Sequence, residues 1–489
     1  MGNWIIAPVV LPAFLAALSL FTSRSTAARA LSLGGTAALL AISIALLHAA
    51  TEGPPQLYRL GDWPAPFGIV LVLDRLSALM LLLTSGLALI VLAQAIATGQ
   101  DRRGRRFHAL WLFQLMGLNG AFLTGDAFNL FVFFEVLLIA SYGLMVHGGG
   151  GPRIRAGLQY IAVNLLGSTL FLFALATIYA VTGTLNMADL AVKLPALPEG
   201  DHALMRVAAV LLMLVFAVKG ALVPLQFWLP GTYAAAPGVV AALFAVMTKL
   251  GAYAALRFST LVFPPDLALT ADLMAPLLLP AGLLTLAIGA IGTLGAQSLP
   301  RLAAHAAVMS MGTVFTAMAG FTTESTTAAL YYMIHSTLAG AALFLTADLA
   351  RDREAERVDT PSPRLPGTLA ALFFAAAIAT VGLPPLSGFP AKLMVLQAMP
   401  LWPVWTTVLG ATFLALLALS RAGSTLFWKP QGTPATLPRT QTLAPTALLL
   451  ALAALTVFAG PVTHWLATTA ETLHDPAPYI LANDLPGGA

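Results

Sequence analysis

The 489-residue sequence contains no cysteine. That excludes a disulfide framework, a thiolate metal site and a cysteine-held iron–sulfur cluster. Charge is scarce as well: 9% of residues are charged, against about 25% in ordinary soluble domains. With 59% hydrophobic residues, a length that would suit two soluble domains describes a polytopic membrane protein instead. The first apolar run has no basic residue before it, the first Arg being Arg24. It therefore lacks the n-region of a secretory signal, and residues 4–22 are expected to stay as a first helix. Gly148–Gly151 before Pro152 has no Gly-Lys-Ser/Thr after it and reads as a flexible turn, not a phosphate-binding loop. No carboxylate cluster offers the several oxygens a hard cation needs, and no feature calls for a metal, a cofactor or nucleic acid.

What is present is a series of long apolar runs. At about 20 residues per crossing, the sequence reads as an all-α polytopic membrane protein of about fourteen spans: 4–22, 30–49, 72–97, 107–124, 127–147, 157–182, 205–230, 238–260, 274–296, 303–320, 328–350, 367–399, 402–427 and 443–466. Connections after odd-numbered spans hold Arg24, Arg29, Arg102, Arg103, Arg105, Arg106, Arg153, Arg155, Arg301, Arg351, Arg353, Arg357, Arg364, Lys429 and Arg439; the alternate set holds Arg59, Lys193, Arg206 and little else. The positive-inside rule then places the arginine-rich connections in the cytoplasm and both termini outside. The stretch Arg351–Arg364, with Asp352, Glu354, Glu356 and Asp359, reads as a solvated loop.

Four charges fall deep inside apolar runs: Glu135, Lys219, Lys249 and Lys392. A charge near the middle of a membrane helix costs about 2.5–3.5 kcal/mol on insertion scales, so each should face protein or water and not lipid. Three lysines cannot all pair with one glutamate. Some lysine must be neutral part of the time or share a hydrated cavity, which is the chemistry of a proton carrier. Buried pairs that only fix helix packing would explain one Glu–Lys pair and leave two lysines over. His335 and His305 sit in the spans that could bridge Lys249 to Lys392. A lone histidine on an apolar helix also fits a packed core residue; His335 is the candidate relay member and His305 a second candidate. Asp348 closes its helix and is expected at the interface; His147 ends its helix beside Gly148 and is expected in contact with solvent.

Two spans carry breaks. Pro224 follows Lys219 in VFAVKGALVPLQFWLP and removes a helical donor. Pro384, Pro385, Gly388 and Pro390 break the twelfth span just before Lys392. Broken helices at membrane depth occur where they are buried or line a wet cavity. Spans seven and twelve are five apart, an odd offset, so a repeat that relates them lies inverted in the membrane. The expected division is 1–106 for the first three helices, 107–260 for one five-helix repeat, 274–427 for the second, and 443–489 for the last helix and tail.

At these residues the chain resembles the antiporter-like subunits shared by respiratory complex I and the Mrp-type multisubunit cation/proton antiporters. The motifs DAFNLFVFFEVLLIASYGL, KGALVPLQFWLPGTY, YYMIHSTLAGAALFLTADL and LPPLSGFPAKL carry the resemblance, which spans about Leu71 to Lys429 and is best with the D-type subunit of the Mrp family. It implies proton-transfer roles for Glu135, Lys219, Lys249 and Lys392. Gly231, His305 and Ala339 depart from the family pattern, the last where many complex I relatives have a lysine, which leaves His335 as the main bridge. The resemblance further implies a secondary-transporter subunit in a bacterial inner membrane, not an enzyme, exchanging Na⁺ for H⁺ in pH homeostasis beside A-, B-, C-, E-, F- and G-type subunits. The alternative is a proton-pumping subunit in the membrane arm of a complex I or membrane-bound hydrogenase-type assembly.

Overall fold

The structure, a computed structural model, describes residues 2–22, 25–353, 355, 357–360, 363–428 and 436–485. Arg24, Glu354, Glu356 and Lys429 lie outside the described residues. The helices, in chain order, are α1 (Ala7–Phe21), α2 (Ser25–Glu52), α3 (Arg75–Ala97), α4 (Phe107–Leu123), α5 (Ala127–Met145), α6 (Gly151–Thr182), α7 (Met187–Lys193), α8 (His202–Lys219), α9 (Trp228–Ala235) and α10 (Gly238–Arg257). There follow α11 (Ala271–Gly295), α12 (Leu299–Met318), α13 (Thr323–Arg351), α14 (Gly367–Val381), α15 (Gly388–Ala398), α16 (Trp402–Gly423), α17 (Leu443–Val457), α18 (Ala459–His474) and α19 (Ala477–Ala482). Among the described residues nine helices are long and apolar enough to cross a membrane. Three more, α1, α4 and α14, are shorter apolar helices, and α17 and α18 form one pair bent by 79°.

α10 is buried along its whole length, as a helix apolar on nearly every side must be. It packs on α13, also buried over most of its length, and on α3, α8 and α12. α6, α8, α11 and α16 bury a much smaller share and present leucine and phenylalanine outward. The third expected span starts later than its apolar run: Val70–Leu73 forms strand β2, paired antiparallel with β1 (Gln56–Arg59) in the register Gln56↔Leu73. Asp74 then caps α3 through a reciprocal box with Ser77. The first and last described segments lie at this hairpin end, where the Gly2–Trp4 turn meets β1 and Asp484 pairs with Arg59 at 2.7 Å. The arginines of the connections after α3, α5 and α13 gather at the opposite end, with Arg103 3.3 Å from Asp352 and Arg153 donating to the carbonyl of Ala235 at 2.9 Å.

His147, expected in solvent, and Asp348, expected at the interface, are both buried at that arginine-rich end. His147 bonds the carbonyl of Gln100 at 2.9 Å, and burial lowers its basicity. Asp348 accepts from Gln100, from Arg351 and, at 3.1 Å, from the free N–H of Gly238 at the start of α10. Helix-end position is a poor guide here, because neighbouring helix ends cover both groups.

The hairpin end holds an ion pair that the sequence pattern does not single out. Arg257, in the last turn of α10, meets Asp74 at 2.6 Å, with both side chains largely buried. Arg257 also lies 5.3 Å from the ring centre of Tyr479 and 5.6 Å from that of Tyr253. Burial alone would raise the carboxyl of Asp74, but Arg257 overrides it and holds the group below its ordinary value. Its stabilisation is therefore complete above about pH 4 and is lost only as pH falls through the depressed folded value. Asp74→Ala should cost about 3–5 kcal/mol by stranding the Arg257 cation, read as a drop in unfolding temperature in detergent at pH 7.

Asp126, the N-cap of α5, behaves in the opposite sense. Burial pushes it up to about 6 despite the Asn129 and Phe128 N–H groups it accepts from. Its ionised form costs stability, a cost that appears as pH rises through roughly 4 to 6 and is complete above that range. Asp126→Asn keeps a good cap and should raise stability at pH 8 by up to about 3 kcal/mol while flattening the pH dependence below 6. Unfolding temperatures measured from pH 4 to 8 check this.

Candidate functional site

The two broken helices organise the site. α8 stops at Lys219, and the chain runs without regular helix to α9. The last carbonyls of α8 are satisfied locally: Trp228 donates its indole N–H to Val218 at 3.0 Å, and the N–H of Leu222 turns back to Ala217 at 2.9 Å. Val223 N–H goes to Thr285 of α11 at 2.9 Å. Pro224 thus sits in a break whose backbone groups are paired by its surroundings. Gly251 of α10 permits close approach, since a Cβ there would meet the Gly220 nitrogen at 2.5 Å.

Lys219 is 5% exposed and donates to Asn164 Oδ1 of α6 at 3.0 Å. Glu135, half-buried at the middle of α5, accepts from Ser168 of α6. Asn164 and Ser168 are one turn apart on one face. Glu135 and Lys219 thus make no direct ion pair among the described residues; α6 interposes an amide and a hydroxyl. Lys219 Nζ also lies 5.7 Å from the ring centre of Phe134, next to Glu135 in sequence.

Lys249, at the middle of α10 and 2% exposed, donates to Ser310 Oγ of α12 at 3.2 Å and lies 3.3 Å from Met311 Sδ. Ser310 borders a cavity of about 20 Å³ that His335, Ser336 and Thr380 also line. That volume has room for about one water molecule among several polar partners. His335, mid-way along α13, bonds Ser387 Oγ through Nδ1 at 2.9 Å, and Ser387 lies in the second break, between α14 and α15. Lys392 reaches back across that break, donating to the Val381 carbonyl at 2.6 Å and to Thr412 of α16 at 2.8 Å. Pro384 and Pro385 lie within the break. The aliphatic stem of Lys392 fills the space beside Gly382, where a Cβ would come within 2.9 Å of Lys392 Cδ.

The structure thus groups Lys249 and His335 through Ser310 and a water-sized cavity, and ties His335 through Ser387 to the break that Lys392 reaches across. Glu135 and Lys219 form a second group on α6, joined to the first where α8 and α10 touch at Gly220 and Gly251. His305 stands apart. Its half-buried ring packs on Gly292 of α11 and has no hydrogen-bond partner among the described residues. Among the described residues no group of three His, Asp or Glu side chains forms a metal ligand set. Sequence reasoning missed Asn164, Ser168, Ser310, Ser387 and Thr412. The available signal was polar residues at helical spacing in apolar runs, as in NLLGS.

Gly382 has φ of 82°, a left-handed conformation, as well as no room for a side chain. Gly382→Ala should cost about 1–2 kcal/mol for the conformation alone and should also displace Lys392. A lowered unfolding temperature with transport lost at temperatures where the fold persists would show both effects.

The comparisons with known proteins agree with this geometry. Residues 124–418 match the family model described as NADH:quinone oxidoreductase/Mrp antiporter, TM. The chain is 39% identical to a probable K⁺/H⁺ antiporter subunit of the D type from Rhizobium meliloti (strain 1021), covering 97% of each chain. It is 37% identical to the D-type Na⁺/H⁺ antiporter subunit of Bacillus subtilis (strain 168), covering 99% of each. Its fold matches a chain of the Mrp complex from Dietzia sp. DQ12-45-1b with a TM-score of 0.90 and 28% identity, over 99% of this chain and 100% of that one. On the motifs, the two broken helices and these matches, the chain belongs to the NADH:quinone oxidoreductase/Mrp antiporter family of membrane proteins.

Proposed function

We propose that the chain is the proton-carrying subunit of a multisubunit monovalent cation/proton antiporter. The single observation that carries this reading is the arrangement of three buried lysines, each hydrogen-bonded to neutral oxygens, with His335 and a water-sized cavity between two of them. Protons cross an apolar bundle by hops between titratable groups and water. Glu135, Lys219, Lys249, His335 and Lys392 are the hopping groups in this reading, and His305 is at most a side branch, since it faces α11. The two five-helix units, 107–260 and 274–427, would each supply one break.

Relatives of similar identity are named for K⁺ and for Na⁺. Na⁺ is the cation we assign, carried with the help of A-, B-, C-, E-, F- and G-type subunits. The arginine-rich end would face the cytoplasm and both termini the outside of a bacterial inner membrane. The reading is that of a transporter subunit, not an enzyme. A second reading, a pumping subunit of a redox-driven membrane arm, draws on the quinone-oxidoreductase half of the family description. The full-length similarity to antiporter subunits favours the first. Gene neighbours separate them: several small membrane-protein genes support the first, iron–sulfur subunit genes the second.

Lys249→Ala should abolish cation-driven proton flux in vesicles holding the whole complex. Lys249→Arg is the sharper variant, because guanidinium keeps the charge but does not release its proton at physiological pH. Flux lost in both variants with normal assembly supports a proton carrier; flux retained in Lys249→Arg means that the lysine only holds the fold. The chain reconstituted alone should show no robust Na⁺-dependent flux under an imposed pH gradient. Flux at the rate of the whole complex would remove the need for partners.

A further inference from the structure

At the arginine-rich end a groove of about 740 Å³ opens between the last turn of α1, the first turns of α2 and the start of α4. Arg102, Arg105 and Arg106 line it; all three are exposed, and none of their side chains makes an ion pair or hydrogen bond to another described residue. The one acidic group in the lining, Asp101, is already committed to Arg29 at 2.5 Å and His108 at 3.2 Å. Arg103, by contrast, turns away to Asp352. The groove therefore carries three uncompensated positive charges. On the α1 side Leu20 lines it beside Ser19 and Thr22, and outside the groove the neighbouring Leu18 and Phe21 extend an exposed apolar surface, Leu18, Leu20 and Phe21 being 38%, 43% and 88% exposed.

We propose that this groove binds the headgroup of an anionic phospholipid, with the phosphate held by Arg102, Arg105 and Arg106 and the acyl chains lying along Leu18, Leu20 and Phe21. Guanidinium groups are suited to phosphate oxygens, to which they donate two parallel N–H bonds. Basic pockets between membrane helices are recognised by charged headgroups, and a zwitterionic lipid would leave the three charges uncompensated. A free phosphate ion would satisfy the arginines but leave the α1 face uncovered. This amphiphilic lining favours a lipid over a soluble anion.

The test uses the assembled complex in detergent, washed free of lipid and titrated separately with phosphatidylglycerol, phosphatidylcholine and inorganic phosphate. Unfolding temperature and native mass spectrometry of retained lipid are the readouts. Phosphatidylglycerol should raise the unfolding temperature and stay bound, while the other two should not. Arg102→Gln/Arg105→Gln/Arg106→Gln should weaken phosphatidylglycerol binding by on the order of 100-fold, from about a tenfold effect or less per arginine. If that variant does not fold, Ala28→Glu carries the test: the groove-lining Ala28 on α2 would supply an internal carboxylate and should remove the phosphatidylglycerol response. Equal responses to phosphatidylglycerol and phosphatidylcholine, an equal response to inorganic phosphate, or undiminished binding in these variants would overturn the proposal. So would lipid retained by the isolated chain but not by the complex, which would make the groove a contact for a neighbouring subunit.

Discussion

An ammonium group inside a lipid-embedded bundle is the constraint on which the rest of this structure depends. Among the described residues nothing in the interior matches three lysines with three carboxylates, so the charges must be held by dipoles. For Lys219 and Lys392 the chain does this beside interrupted helices, and for Lys249 with Ser310 of the neighbouring α12. Lys219 is itself the last residue of α8. Lys392 comes from the far side of its break to bond Val381, the last residue of α14. The Lys392 cation thus sits at the carbonyl end of a half-helix, where the backbone dipoles favour positive charge. The Lys219 ammonium is held instead by the Asn164 oxygen of α6. The two breaks present their lysines from opposite sides, one before the gap and one after it.

Interrupting a helix at this depth frees backbone groups that lipid cannot satisfy. Here the surrounding helices supply the partners. Trp228 and Thr285 serve the first break, and Gly382 lets the chain turn at the second. The glycines at 251, 382 and 388 make these contacts possible by admitting neighbouring atoms where a Cβ would collide. The buried α10–α13 pair then provides the rigid centre against which both breaks are held. Packing, dipoles and backbone pairing are one solution to one electrostatic problem.

Much of this is legible in the sequence because the expensive features are rare. A lysine or a proline in a long apolar run stands out, so Lys219, Lys249, Lys392 and both breaks can be named. The hydroxyls and amide that join them cannot. Serine and threonine bond their own helix backbone at small cost, as Ser310 does to Ala307, so they occur throughout membrane helices without signalling a role. Arg257 looks like any cation near a helix end; only the fold shows Asp74, nearly two hundred residues earlier, against it. Val70–Leu73 merges with the apolar run of α3 because a buried strand and the start of an apolar helix share one pattern over four residues.

The missed hydroxyls also bear on which lysines suit proton transfer. A lysine that alternates between ammonium and amine must keep acceptable partners in both states. A carbonyl oxygen, such as that of Val381, only accepts, and it favours the state richer in N–H donors. A hydroxyl both accepts from an ammonium and, by rotating its hydrogen, donates to the lone pair of an amine. Lys249 has Ser310, and Lys392 has Thr412 beside its carbonyl. Lys219 has the Asn164 oxygen, an acceptor only, with the carboxylate of Glu135 nearby. On the proposed proton path the partners divide the line into two kinds of station: Lys219 would hold a proton beside the Glu135 carboxylate, and Lys249 and Lys392, with their hydroxyl partners, would accept one and release it.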